Sequence, residues 1–269
     1  MTGETGAGGS PGAEESIEIR TVDRLAVRVF DDRRAMGAAA AADAARTIRT
    51  VIDERGAVRV AFAAAPSQNE FLAALVASEG LDWNRITAFQ LDDYVELPAD
   101  SPQRFSRFLD DRLFGRVPFG RIHRLAPAGD VAAAEAECRR YAALLAEGPL
   151  DVVCLGIGEN GHLAFNDPPV ADFQDPAAVK VVELDEPCRQ QQVNDGCFPS
   201  PADVPTHAMT LTIPTLLGGR HLVCVVPGVG KREAVRQTLD GPIVTDCPAS
   251  ALRTHPAATL YLDRASHGG

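Results

Sequence analysis

DVVCLGIGENGHLAFNDPP, residues 151–169, decides how the rest of this chain is read. Residues 151–157 make an apolar run fit for a parallel strand covered on both faces. Gly156, Gly158 and Gly161 then let the backbone turn sharply and come close to a ligand. His162 follows at once, with Asn166 and Asp167 four and five residues on. In open α/β sheets ligands gather at the carboxyl ends of the strands, and this segment puts its polar groups there. The spacing GxGxxG over residues 156–161 also satisfies a loose dinucleotide-binding pattern. Pro168, Pro169 and the lack of an amphipathic helix after the turn argue against that reading.

Outward from this turn, strand-like and helix-like stretches alternate. Residues 16–30 read as strand material, and residues 31–55 as a long alanine-rich helix of high intrinsic propensity. A strand at 58–65 ends at Pro66, after which Ser67 and Glu70 form an S-x-x-E capping box for the next helix. Residues 86–93 read as a strand ending in two carboxylates, and 103–113 and 130–147 as helices. Residues 185–206 are polar with no clean period. Strands at 221–228 and 259–263 flank a helix at 231–239. This alternation predicts a single-domain α/β fold, a mostly parallel central sheet with helices on both faces. The domain is expected over residues 16–269, after a disordered tail at 1–15 that has neither the basic start nor the apolar core of a signal peptide.

A chain of 269 residues with 45% apolar and 23% charged residues is an ordinary globule. Its net charge of −11 argues against nucleic acid and anionic membrane surfaces as partners. No stretch approaches the roughly 20 apolar residues of a membrane span. The six cysteines, at 138, 154, 188, 197, 224 and 247, show no CxxC pair and no metal-type spacing, which fits a reduced cytoplasmic protein with no metal centre.

Two groups of residues carry candidate chemistry. Asp92 and Asp93 close an apolar strand, where partial desolvation raises a carboxylate toward the range useful for proton abstraction. By position alone a helix cap or an ion-paired loop acid is the more ordinary explanation. His162 lies beside Gly161 at a strand end, better placed for a ligand than a core histidine would be. Lys231, in PGVGK at a helix start, is suited to an anion or to plain solvent.

GIGENGHLAFNDP, residues 156–168, resembles the signature of the glucosamine-6-phosphate deaminase/isomerase family, related more distantly to the 6-phosphogluconolactonases. QLDDYVELPADSPQRF (90–105), TLTIPTLLGGRHLVCVVPGVGKREAV (210–235) and SALRTHPAATLYLD (250–263) resemble three further blocks of the family in the same order. The resemblance implies a modified Rossmann-like fold and deamination of glucosamine 6-phosphate to fructose 6-phosphate and ammonia, by general acid-base catalysis without a cofactor. It makes Asp92 the base that moves a proton between C2 and C1, with Asp93 a supporting acid. His162 opens the sugar ring, assisted by Asn160, where the family often has Asp, and by Asp167, where it usually has Glu. A substrate and phosphate site is implied at Ala65, Ser67, Asp93, Gly161, Lys231 and Arg189, although a strict register puts Gln192 in the place of Arg189. The loop at 63–68, AAAPSQ, replaces the family's glycine-rich T-G-G-(S/T)-P pattern. The implied partner is a small amino-sugar phosphate; a homo-oligomer is compatible, since family members range from monomers to hexamers. The competing readings are a 6-phosphogluconolactonase-like hydrolase, a deaminase for another amino sugar such as galactosamine 6-phosphate, and a sugar-phosphate-binding protein without turnover.

Overall fold

The computed structural model describes residues 16–127 and 129–268, so the expected tail at 1–15 lies outside the described residues. Eleven strands form two sheets among them: β1 (Glu18–Val22), β2 (Leu25–Phe30), β3 (Val58–Phe62), β4 (Ile86–Gln90), β5 (Asp92–Tyr94), β6 (Arg121–His123), β7 (Val152–Leu155), β8 (Val179–Glu183), β9 (His207–Leu211), β10 (His221–Val226) and β11 (Ala258–Asp263). The large sheet runs β1-β2-β11-β10-β7-β3-β4-β6. Every pairing in it is parallel except the β1–β2 hairpin at one edge. The fold class is therefore the expected one, an α/β domain around a mostly parallel sheet.

Both faces of that sheet are covered because its strands are apolar on both. Successive residues of β7 point to opposite sides. Val153 and Leu155 enter one core, and Val152 and Cys154 the other. The second core is closed by α1 (Arg33–Arg55) and α2 (Asn69–Val76). Alanines at 35, 40, 41, 44 and 45 form the buried face of α1, small enough to bring the helix close to the sheet. Asp32 caps its start, accepting from the Ala35 amide at 2.8 Å. The first core is packed by α4 (Val131–Ala146) and α7 (Arg232–Asp240), which contribute Tyr141 and Val235. Four other helices are short: α3 (Phe105–Leu109), α5 (Glu186–Asn194), α6 (Ile213–Leu217) and α8 (Arg264–His267).

Three local expectations are corrected. The strand read over 86–93 breaks at Leu91: β4 stays in the large sheet, whereas β5 crosses to an antiparallel sheet of order β5-β9-β8. The short apolar-polar pattern could not reveal that change of partner. The Ser67–Glu70 capping box does not form. Pro66 starts a 3₁₀ turn over Pro66–Gln68, so Ser67 lies inside it, and Glu70 instead accepts from Arg33 at 2.8 Å. The polar stretch after 185 holds α5, started by Asp185, which accepts from the Cys188 amide at 2.9 Å.

Candidate active site

A pocket of about 600 Å³, including its open mouth, lies beyond the carboxyl ends of β3, β7 and β10. Asp92 and His162 line it together with residues 63–68 and Lys231. The strand break at Leu91 lifts Asp92 out of the large sheet to this edge. Asp92 is 6% exposed, and no hydrogen bond from a described residue reaches its carboxylate. Burial, and then the nearby carboxylates of Asp93 and Asp167, push its pKa well above the ordinary range. A raised pKa makes the ionised carboxylate a stronger base, the property a proton-shuttling group needs.

Asp93 is a different kind of group, and its expected place in the substrate site is corrected. It is fully buried and accepts four hydrogen bonds: from Tyr94 N at 2.9 Å, from Phe105 N and Ser106 N at 3.1 Å, and from Gln90 Nε2 at 3.1 Å. Arg104 stands 3.8 Å away. Burial pushes the pKa of Asp93 up against those donors. Its carboxylate pins the start of α3 to β5, and nothing of it lines the pocket.

The glycine turn positions His162. The Gly158 amide donates to the His162 carbonyl at 2.9 Å, and the imidazole lies flat against Gly158. A Cβ at Gly158 would sit 2.2 Å from His162 Cε1, so only glycine leaves room for the ring. His162 Nδ1 is 2.8 Å from Asn160 Oδ1 and 2.9 Å from Asp167 Oδ1. The Asn160 amide is oriented by its own Nδ2, which donates to Asp167 Oδ1 at 2.8 Å. Two oxygens thus face Nδ1, which fixes the hydrogen there and leaves Nε2 as the nitrogen free to accept from the pocket. Burial alone would raise the Asp167 pKa, but the adjacent His162 and the hydrogen bonds to it outweigh that and hold it below the ordinary value. The shorter Asp side chain therefore still reaches the imidazole.

Cys188 joins this group. Side-chain ligand atoms of His162, Asp167 and Cys188 lie within 4.8 Å of one another, a nitrogen-oxygen-sulfur set that sequence spacing does not reveal. As arranged here, Asp167 serves the imidazole.

At the other wall, Ala65 and Ser67 line the pocket, and Gln68 anchors their loop by donating to Val225 O at 3.1 Å. Lys231 is buried, and burial lowers its pKa while Asp195 and Glu159 pull it back up. Two expected contacts are corrected. Arg189 does not line the pocket; its guanidinium donates to the Pro201 carbonyl at 2.5 Å. Gly161 does not line it either. With φ at +84°, it turns its Cα toward Cys247, whose sulfur would be 2.8 Å from an added Cβ.

In place of Arg189, α5 presents Gln191 and Gln192. Gln192 Oε1 accepts from the Tyr94 hydroxyl at 2.7 Å, and Gln191 Oε1 from the Glu159 amide at 2.7 Å. Asp195, Cys197 and Phe165 complete this wall, and none of them was singled out from sequence. Asp195 and Cys197 meet Phe165 only because the end of α5 folds back over the glycine turn, and an aperiodic polar stretch carries no signal of that.

Comparison with known proteins agrees with this geometry. Residues 31–261 match the family of glucosamine-6-phosphate isomerases/6-phosphogluconolactonase. A glucosamine-6-phosphate deaminase of Listeria innocua is 36% identical over 208 residues, covering 77% of this chain and 86% of its own. One from an Exiguobacterium species is 38% identical over 227 residues, covering 83% and 87%. A monomeric glucosamine-6-phosphate deaminase of known structure superposes with a TM-score of 0.81 at 33% identity, covering 90% of this chain and 98% of that one. The 6-phosphogluconolactonase of Thermotoga maritima shares the fold, with a TM-score of 0.71 at 19% identity over 91% of this chain and 100% of that one. The chain is thus an α/β protein with an acid-base pocket at the carboxyl edge of its sheet. It belongs to the glucosamine-6-phosphate isomerase/6-phosphogluconolactonase family. No helix among the described residues is long and apolar enough to cross a membrane.

Proposed function

We propose that this protein deaminates glucosamine 6-phosphate, giving fructose 6-phosphate and ammonia with the uptake of one water. The observation that carries the reading is the pairing, in one pocket, of an unpartnered buried carboxylate with an imidazole whose Nδ1 is already engaged. His162 Nε2 takes the proton of the anomeric hydroxyl and returns it to the ring oxygen, opening the sugar. Asp92 then removes the proton from C2 of the open-chain aldehyde, forming an enolamine, and delivers it to C1. The resulting imine adds water at C2, and ammonia leaves. Asp167 and Asn160 hold the imidazole and Asp167 balances its positive charge while it carries the proton. Lys231 with the loop at 63–68 receives the phosphate, and Gln192 supplies a neutral amide on the opposite side.

The relatives named as deaminases support this reading over a lactonase, whose likeness here is one of fold. Six free cysteines, five of them buried, support a reducing, cytoplasmic setting. The test is release of ammonia and fructose 6-phosphate in equal amounts from glucosamine 6-phosphate. Galactosamine 6-phosphate, unphosphorylated glucosamine and 6-phosphogluconolactone are run beside it. No turnover of glucosamine 6-phosphate refutes the proposal, and turnover of another compound in the panel moves the function there.

A further inference from the structure

The end of the pocket that must take an anion also carries a carboxylate. Asp195, the C-cap residue directly after α5, lines the same pocket as Lys231. Its presence there calls for an explanation, since like charge opposes a phosphate. Among the described residues no ion pair within 4.0 Å joins the Lys231 ammonium to a carboxylate, so Asp195 acts on the lysine without gripping it. Its position is held from the other side: Gln191 Nε2 donates to Asp195 Oδ2 at 3.3 Å, while Gln191 Oε1 takes the Glu159 amide. Asn194 Nδ2 in turn donates to Glu159 Oε2 at 3.2 Å. The end of α5 and the turn bearing His162 are thereby tied together around the lysine.

A buried ammonium needs a nearby opposite charge when no ligand is bound. Asp195 and Glu159 are the carboxylates that act on Lys231, and of the two Asp195 faces the pocket. We propose that Asp195 is a charge-selecting residue of the anion subsite. It neutralises Lys231 in the free protein and opposes any anion that approaches. Small anions are then held weakly. A sugar phosphate is retained because its sugar makes further hydrogen bonds toward Asp92 and His162. This rests on the pocket's being the sugar-phosphate site proposed above.

The experiment compares the full chain with Asp195→Asn and Asp195→Glu, measuring the affinity for inorganic phosphate by calorimetry at low and physiological ionic strength. Asn keeps an oxygen that can accept from Gln191 and removes only the charge. Coulomb repulsion between charges several ångströms apart near a protein surface predicts that Asp195→Asn binds phosphate about tenfold or more tightly. Asp195→Glu, which keeps the charge, should bind as weakly as the native chain, and the KM of Asp195→Asn for glucosamine 6-phosphate should fall. Equal or weaker phosphate binding by Asp195→Asn overturns the proposal, as does binding too weak to measure in all three proteins. The binding readout needs no turnover. A native chain inactive on glucosamine 6-phosphate, with tighter phosphate binding in Asp195→Asn, would refute the functional reading and leave charge selection standing. Normal turnover with unchanged phosphate affinity would do the reverse.

Discussion

Replacing Asp92 by Asn separates its proposed chemistry from any structural role. The substitution keeps the shape and removes the proton-carrying group. A positioned general base contributes about a hundred- to ten-thousand-fold, or roughly 3–5 kcal/mol of barrier. The surroundings favour the upper end, because neither neighbouring carboxylate can deputise. Asp93 is committed to four hydrogen bonds, and Asp167 to His162 and Asn160. We therefore expect kcat to fall about ten-thousand-fold, measured by coupled ammonia release. Stability should move the other way or not at all, since no described group donates to the Asp92 carboxylate. The pH dependence follows from its raised pKa. As pH rises, the unfolded chain loses this proton at the ordinary carboxylate value, while the folded protein keeps it longer. Asp92 thus contributes a loss of stability that grows from the ordinary range up to the folded pKa. Asp92→Asn should flatten that decline in denaturant titrations at several pH values. Activity within tenfold of native, or a variant that fails to fold, would refute the reasoning.

Other perturbations test the rest of the site. Gly158→Ala should cost at least a hundredfold in kcat with the fold retained, because the added Cβ lands 2.2 Å from the His162 ring and must displace it; native-like kcat would show that the ring position is not critical. Asp93→Ala should destabilise by about 3–5 kcal/mol, measured by urea unfolding, since it strips three backbone amides and the Gln90 amide of their buried acceptor and leaves Arg104 unbalanced. A loss below about 1 kcal/mol would contradict the capping role. Lys231→Gln should raise KM for glucosamine 6-phosphate about ten- to a hundredfold, the worth of a charge-assisted hydrogen bond, and leave KM for unphosphorylated glucosamine nearly unchanged. Equal effects on both substrates would remove the lysine from the phosphate end.

The sequence by itself determined the α/β class, because apolar runs such as residues 152–155 can only be buried by cover on both faces of a parallel sheet. It also pointed to the glycine turn as a candidate site, where Gly158 and His162 are neighbours in both sequence and space. The loop at 63–68 and Lys231 were legible for a similar reason, each lying directly after a strand whose carboxyl end meets the pocket. What required tertiary structure was every decision made between distant segments. Asp92 and Asp93 are adjacent and chemically identical, yet a strand alternates its side chains. One consequently faces the pocket, while the other caps a helix twelve residues away. Arg189 read as a phosphate contact until the Pro201 carbonyl took its guanidinium. Asp195 reached the site because α5 packs over the glycine turn, which also seats Gln192, the residue the strict register named, in the same wall. Local pattern encodes which residues are buried and where the chain turns. Which carboxylate meets the ligand depends on sheet pairing and helix packing, and those are settled by contacts a hundred residues apart.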